Sequence, residues 1–285
     1  REIQLKGSGP TPFSRPGSDG FGAIGPMLRE YLVSEFMHAA GVPTTRSLAV
    51  IDTGRTVVRQ HGPVPGGIVA RVALSHLRVG SVQYAALRSP QLVADVVAAA
   101  GYPSAGLLLD SVLSKQLNLV AQWTRLGFVH GVMNTDNVAL SGETLDYGPC
   151  AFTESRDPEA VYSSIDTYGR YRFGNQPTIA AWNVGRLAET LLPVLELEEA
   201  QRIVSTTEDR WEAAWEKAGV AKQSPIFLPR NHMLERAIEA AERGGEYGPY
   251  FALLAAVSDP FNPDAGTAEM ARPEGDEPFV TFCGT

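Results

Sequence analysis

The period of the apolar positions changes about a quarter of the way along this chain. Before residue 75 the runs are short and alternating or β-branched, and from about Gln91 apolar residues recur every three or four positions. Residues 2–5 alternate polar and apolar and end in Lys6-Gly7, the pattern of a short strand that delivers a lysine into a cleft, although spacing alone favours a solvated lysine at a strand end. Residues 7–25 are rich in Gly, Pro and Ser, which predicts a loop around Ser18-Asp19-Gly20. A helix follows over 26–40, with Pro26 in its first turn and Gly41 and Pro43 beyond its end. Leu28, Leu32 and Phe36 form its core stripe, with Glu30 at the edge. Residues 47–51 and 67–73 read as two further strands.

In the second part, Leu109, Val112, Leu113, Leu117, Val120 and Trp123 line one face of a long helix closed by Gly127. Residues 151–176 are polar and irregular, and helical patterns resume at 179–192, 198–217, 232–243 and 250–257. The chain contains no internal repeat and no long low-complexity linker.

Composition narrows the function. The 285 residues suffice for one large domain or two lobes, and 44% apolar content is ordinary for a globular protein. A net charge of -8, from 24 basic and 32 acidic side chains, argues against a broad nucleic-acid-binding surface. A local arginine cluster could still hold a nucleotide. No apolar run approaches the roughly 20 residues of a membrane helix, and REIQLKGSG carries no signal-peptide core. A cytoplasmic setting is expected, or a mitochondrial one in a eukaryote. Cys150 and Cys283 are the two cysteines, too few for a structural zinc site and in keeping with a reducing compartment.

The richest stretch is 130–148, HGVMNTDNVALSGETLDYG. His130 and Asn137 keep the spacing of the protein-kinase catalytic loop H-R-D-x-x-x-x-N, and Asp146-Tyr147-Gly148 is a version of the downstream D-F-G. In that pattern the Asn and the second Asp hold metal ions on nucleotide phosphates. Val132 stands where the catalytic Asp belongs, and it cannot accept a proton. His130 reads as a residue that orients the loop backbone rather than one that transfers protons.

HGVMNTDN followed by DYGP resembles the selenoprotein O family, and so do QLKGSGPTPFSR, PMLREYLVSEFMHAAGVPTTRSLAV, RVALSHLRVGS, RYRFGNQP, RNHMLERAIEAA and the final TFCGT, in that order. The resemblance implies a protein-kinase-like two-lobe α+β fold. Its N-terminal β lobe would be partial, over 1–75, and its C-terminal lobe mainly helical, over 76–285, with catalytic loop 130–137 and DYG 146–148. It also implies protein adenylyltransferase activity, with ATP and proteins bearing Ser, Thr or Tyr hydroxyls as partners, and with neither nucleic acid nor membrane.

Residue by residue, the family match gives Lys6 and Glu30 the roles of the kinase strand Lys and helix Glu. Arg71 and Arg78 would take the terminal phosphate of a nucleotide bound in reverse, and Asp19 and Gly20 would line its pocket. Asp136 would be the proton acceptor, in place of a mere turn-capping carboxylate. Asn137 and Asp146 would bind Mg²⁺ or Mn²⁺ as hard oxygen donors. Cys283 matches the tail position where some members carry selenocysteine, so a redox-sensitive pairing with Cys150 is an expectation.

The chain departs from the family in several places. Phe21 and Gly25 stand where basic side chains are expected, the upstream glycine-rich loop is missing, and the interval between RLAETLLPVL and PRNHMLERAI is short. These departures suggest a truncated form. The competing readings are a protein or small-molecule kinase, which Val132 disfavours, and a noncatalytic nucleotide-binding scaffold.

Overall fold

The computed structural model describes residues 1–14, 17–59, 62–219, 224–275 and 278–282. It is a mixed α/β structure with small sheets, the larger sheet built from residues 2–73 and most of the helices following it. Strand β1 (Glu2–Lys6) is followed by the short β2 (Gly22–Ala23), helix α1 (Ile24–Ala39), and the long hairpin of β3 (Arg46–Arg59) and β4 (Gly62–Ala73). The pairings within this sheet are antiparallel. β3 lies along one edge of β4, and β1 and β2 follow each other along the other. Gln4 stands opposite Arg71, and Lys6 opposite Val69.

The hairpin is longer than its apolar pattern predicts. Pro63, Pro65 and Gly66 precede the strand expected at 67–73, yet the two prolines pair with β3 and Gly66 with β2. Pro63 and Pro65 lie beyond the reach of β1 and β2, where β4 has one partner and a missing N–H costs no ladder bond. Gly7 has a φ of 88°, and a side chain there would stand 2.6 Å from the Gly67 carbonyl, so the turn that leaves β1 requires glycine.

The helical part comprises α2 (Val79–Ala86), α3 (Pro90–Ala99), α4 (Ala105–Leu126), α5 (Gln176–Leu191), α6 (Leu197–Val204), α7 (Thr207–Gly219), α8 (Asn231–Gly244) and α9 (Gly248–Ser258). A two-stranded ribbon of β5 (Phe128–Val129) and β6 (Ala151–Phe152) closes the loop between them. Ser104 caps α4 by accepting the Leu107 N–H, and Gly127 ends it in the left-handed conformation. The stripe from Leu109 to Trp123 is buried as expected, each large side chain contributing about 1.5–3 kcal/mol. α4 serves two cores: Leu119, Val120 and Trp123 pack with α1, α8 and α9, whereas Leu108 to Leu117 pack with α2, α3, α5 and α6.

The helix expected over 198–217 is broken into α6 and α7. Ser205, Thr206 and Thr207 each turn a hydroxyl back to the carbonyl three residues earlier, which competes with the helical ladder.

Helix α1 is covered on one side by β3 and β4 and on the other by α8 and α9, and the Tyr250 hydroxyl donates to the Leu28 carbonyl at 2.9 Å. Arg29 and Glu30 are therefore buried with the apolar stripe. Cys150 also lies inside this core rather than half-buried in a loop, and burial pushes its thiol up to about 12. Cys283 lies outside the described residues, and with it the expected cysteine pair.

Backbone bonds stitch the strand-rich part to residues 138–145. The Thr45 N–H donates to the Thr144 carbonyl and the Thr144 N–H to Pro43, each at 2.9 Å, while Val79 donates to Val138 and Leu140 to Leu77. The Glu143 carboxylate accepts the Leu74 N–H at 2.9 Å. The segment carrying Asp146 is thereby set against the sheet.

Candidate functional site

On β1 the polar residues Gln4 and Lys6 share one face, while Ile3 and Leu5 are exposed on the other. The polar face points toward α1 and Arg71. The Lys6 ammonium donates to Glu30 Oε2 at 3.0 Å and also to Asp146 Oδ1. Arg71 Nε donates to Glu30 Oε1 at 2.5 Å, and its Nη2 stands 3.9 Å from Asp146 Oδ1. Glu30, fully enclosed, thus bridges two cations, which is the condition under which a carboxylate can stay charged inside a protein.

Electrostatics follow from this packing. Burial opposes the charge of both carboxylates, but Arg71 and Lys6 outweigh it at Glu30, and Lys6 and Arg71 do so at Asp146, so both are held below the usual carboxylate range. Burial likewise opposes the Lys6 charge, and Asp146 and Glu30 raise its pKa above the ordinary amine value. Arg78 differs. Burial and the neighbouring Arg71 lower its pKa, and it has no carboxylate partner among the described residues. Its Nη1 donates to the Asp136 carbonyl at 2.9 Å and its Nη2 to Gln4 Oε1 at 3.3 Å. Arg71 Nη1 reaches the same Gln4 oxygen at 3.1 Å, while its buried Nη2 lacks a hydrogen-bond partner. One orphaned guanidinium donor and one unpaired guanidinium therefore sit side by side, an arrangement that favours a polyanion.

The loop after β5 is held by His130. This buried ring donates from Nε2 to the Leu145 carbonyl at 2.9 Å and faces the Val132 N–H with Nδ1 at 3.4 Å. Burial keeps it neutral, and Gln176 clamps its backbone N–H and the Phe128 carbonyl. His130 therefore ties the loop to the Asp146 segment and is not placed to exchange protons with solvent. Asp146 itself has φ of 68°, a left-handed conformation that Asp tolerates and that often marks functional sites.

Asn137 donates from Nδ2 to the Val132 carbonyl at 2.9 Å, which leaves its Oδ1 uncommitted. Asp146 Oδ2 likewise has no protein partner among the described residues. Those residues contain no group of three His, Cys, Asp or Glu able to cage a metal. Two hard oxygens suit a small divalent ion that completes its shell with waters and phosphates. Asp136, in the 3-10 turn Thr135–Asn137, is exposed, and its N–H is accepted by Asn134 Oδ1 at 3.1 Å.

Of the expected residues, Asn137 bonds within its own loop, to the Val132 and Asn134 carbonyls. Lys6, Glu30, Arg71, Arg78, Asp136 and Asp146 form one connected network. Asp19 and Gly20 do not join it through any described contact: Asp19 pairs with Arg59 at 3.1 Å, and this bond lowers its pKa. Gly20 accepts the Gly9 N–H at 2.9 Å in the ribbon between β1 and β2. Sequence reasoning missed Gln4, the connector between Arg71 and Arg78, although its position two residues before Lys6 puts it on the same strand face. It also missed Gly80, in the first turn of α2. A methyl group there would stand 2.0 Å from Asp136 Oδ1.

A paired strand lysine and helix carboxylate, an arginine pair with spare donors, and two free oxygens on the loop segments define a site for a nucleotide-using transferase. The comparisons are specific about which. The family model described as Protein adenylyltransferase SelO matches residues 1–255, and this chain belongs to that family. A Protein nucleotidyltransferase YdiU from Mycolicibacterium paratuberculosis is 40% identical, with all of this chain and 78% of the relative aligned. Those from Cereibacter sphaeroides and Brevibacillus brevis are 39% and 38% identical, covering 79% and 77% of the relative. The chain is thus a nucleotidyltransferase by family.

Proposed function

We propose that this chain is an ATP-dependent protein adenylyltransferase that attaches AMP to Ser, Thr or Tyr hydroxyls and releases pyrophosphate. One observation carries the reading: Arg78, unpaired and beside Arg71, holds the carbonyl of Asp136, the one carboxylate in loop 130–137. The kinase base position is Val132, so the proton acceptor moves to Asp136. A kinase-like two-lobe architecture is part of the proposal, supported by the Lys6–Glu30 pair and by a four-stranded sheet over residues 2–73 that precedes eight of the nine described α-helices. A bacterial cytoplasmic setting is a further part, supported by the organisms of the relatives.

In this mechanism the terminal phosphates of ATP face Lys6, Arg71 and Arg78, whose fixed charges stabilise the departing pyrophosphate. Asp136 takes the proton of the acceptor hydroxyl. The hydroxyl oxygen bonds to the α phosphorus as the bond from that phosphorus to the bridging oxygen breaks. Asn137 and Asp146 would hold Mg²⁺ or Mn²⁺, which supplies further neutralisation of phosphate charge. Incubation with ATP labelled separately at the α and γ positions tests the reading. Transfer of the α label to protein is expected, and transfer of the γ label alone would establish a kinase instead.

A further inference from the structure

We propose that a cavity beside the catalytic loop seats the acceptor protein as an extended segment, with an apolar side chain and a carboxylate flanking the hydroxyl to be modified. The proposal rests on the adenylyl-transfer reading and specifies its substrate. The cavity measures about 660 Å³ and is lined by Val132, Asn134, Ile165, Tyr168, Arg170 and Ile179, among others. That size suits several side chains of a ligand. None of Lys6, Arg71, Arg78 or Asp146 lines it, so it is distinct from the cationic wall. It borders the loop that carries the proposed proton acceptor: Val132 and Asn134 contribute to the lining, and Asn134 also accepts the Asp136 N–H.

Its chemistry is mixed. Ile165 and Tyr168 are 58% and 95% exposed, large side chains left uncovered at the mouth. The Arg170 guanidinium lies 4.5 Å from the Trp182 ring centre and 5.7 Å from that of Tyr171, with no carboxylate partner among the described residues. Asp166, the carboxylate in the lining, is consumed internally: its two oxygens accept the Arg170 and Tyr171 N–H groups at 2.8 Å. In a chain of net charge -8, a cation stacked on aromatic rings and sharing a cavity with Val132 and Asn134 of the loop calls for an anionic group on the partner.

The wall is also preformed. Besides the Asp166 clamp, Asn175 donates to the Arg170 carbonyl at 2.6 Å. Thr281 ties the segment to the loop after Tyr147: its N–H donates to Tyr162 at 2.7 Å and its hydroxyl to Pro149 at 2.6 Å, and it accepts from Ser164 at 2.9 Å. A braced groove loses less entropy on binding an extended chain.

The test uses three fluorescent peptides with one central serine, flanked by Leu and Glu, by Leu and Lys, or by Gly and Glu. Anisotropy is read with the whole chain at saturating non-hydrolysable ATP. The Leu–Glu peptide is expected to bind about tenfold tighter than either control. Arg170→Glu should reverse the Glu–Lys order, and Ile165→Asp should remove the preference for Leu. Equal affinities, an unchanged order in Arg170→Glu, or a loss of ATP binding in that variant would overturn the proposal, the last by assigning the cavity to the nucleoside. Transfer of α label to the same peptides is scored separately. Selective binding without transfer upholds the docking site while removing the adenylyl reading, and transfer without selection does the reverse.

Discussion

The wall formed by Lys6, Glu30, Arg71 and Asp146 and the loop that carries Asp136 and Asn137 are held in different ways. In the wall every charge has an opposite charge in contact, Glu30 is wholly enclosed, and the backbone bonds of 43–45 and 74–79 fix the pieces from both sides. On the loop, Asp136 is exposed and its carboxylate has no hydrogen-bond partner among the described residues. The wall would face the same polyanion in every turnover and can be set once, during folding. In the proposed reaction Asp136 would meet a hydroxyl that arrives with a different protein surface each time, which fits its exposure to solvent. A change in the wall should therefore damage stability along with nucleotide binding, and a change on the loop should damage transfer alone.

The largest effect is expected from Asp146→Ala, which removes one of two free hard oxygens and leaves Lys6 with Glu30 as its one carboxylate partner. Transfer of α label should fall by at least about a thousandfold, with loss of metal-dependent ATP affinity measured by equilibrium binding. An unchanged signal would end the distinction between wall and loop. Asp136→Asn should slow α-label transfer by about a hundredfold or more. Its unfolding free energy in urea should stay within about 0.5 kcal/mol of the parent.

Glu30→Gln sharpens the same contrast from the other side. Two buried cations then depend on Asp146 alone, and a loss of about 3 kcal/mol is expected in urea unfolding at neutral pH. The sign of its pH dependence follows from the depressed pKa of Glu30. That carboxylate contributes stability above its unfolded pKa and loses it as pH falls through the folded value, so the gap between parent and variant should close in acid, below about pH 4. Lys6, with a raised pKa, gives up its contribution only as pH rises past the ordinary amine range. A gap that widened in acid would mean that Glu30 is buried in its neutral form.

Much of the wall was legible because its parts obey local rules. The alternation of residues 2–6, the stripe of α1 and the spacing of His130, Asn137 and Asp146 each announce themselves within a few residues. What tertiary packing decides was not legible. Glu30 read as the edge of a stripe because periodicity cannot show that α1 is covered on both sides. The ion pair of Asp19 was hidden as well, because its partner Arg59 stands 40 residues away, at the far end of a hairpin whose prolines hid its length. Helix α2 escaped notice because it is short, carries Gly80 and Ser81 in its first turn and is capped at Arg78 by the Ser81 hydroxyl rather than by a residue before it. Its position matters to the base, which brings out the smallest of the expected effects.

Gly80 presents its bare face to the Asp136 carboxylate, so Gly80→Ala would put a methyl group within 2.0 Å of Oδ1 but 3.5 Å from the Asp136 Cα. The carboxylate can swing away, and the backbone need not move. Alanine is also better than glycine in a helix by about 1 kcal/mol, so the urea midpoint should hold or rise. The base is displaced all the same, and a shift of about an ångström at a reacting group is enough to cost about tenfold in transfer with ATP affinity unchanged. If Gly80 acts only through Asp136, the double variant Gly80→Ala/Asp136→Asn should be no slower than Asp136→Asn alone. Additive losses would instead trace the effect to Arg78 at the head of the same helix, and the supposed independence of loop and wall would fail at that point.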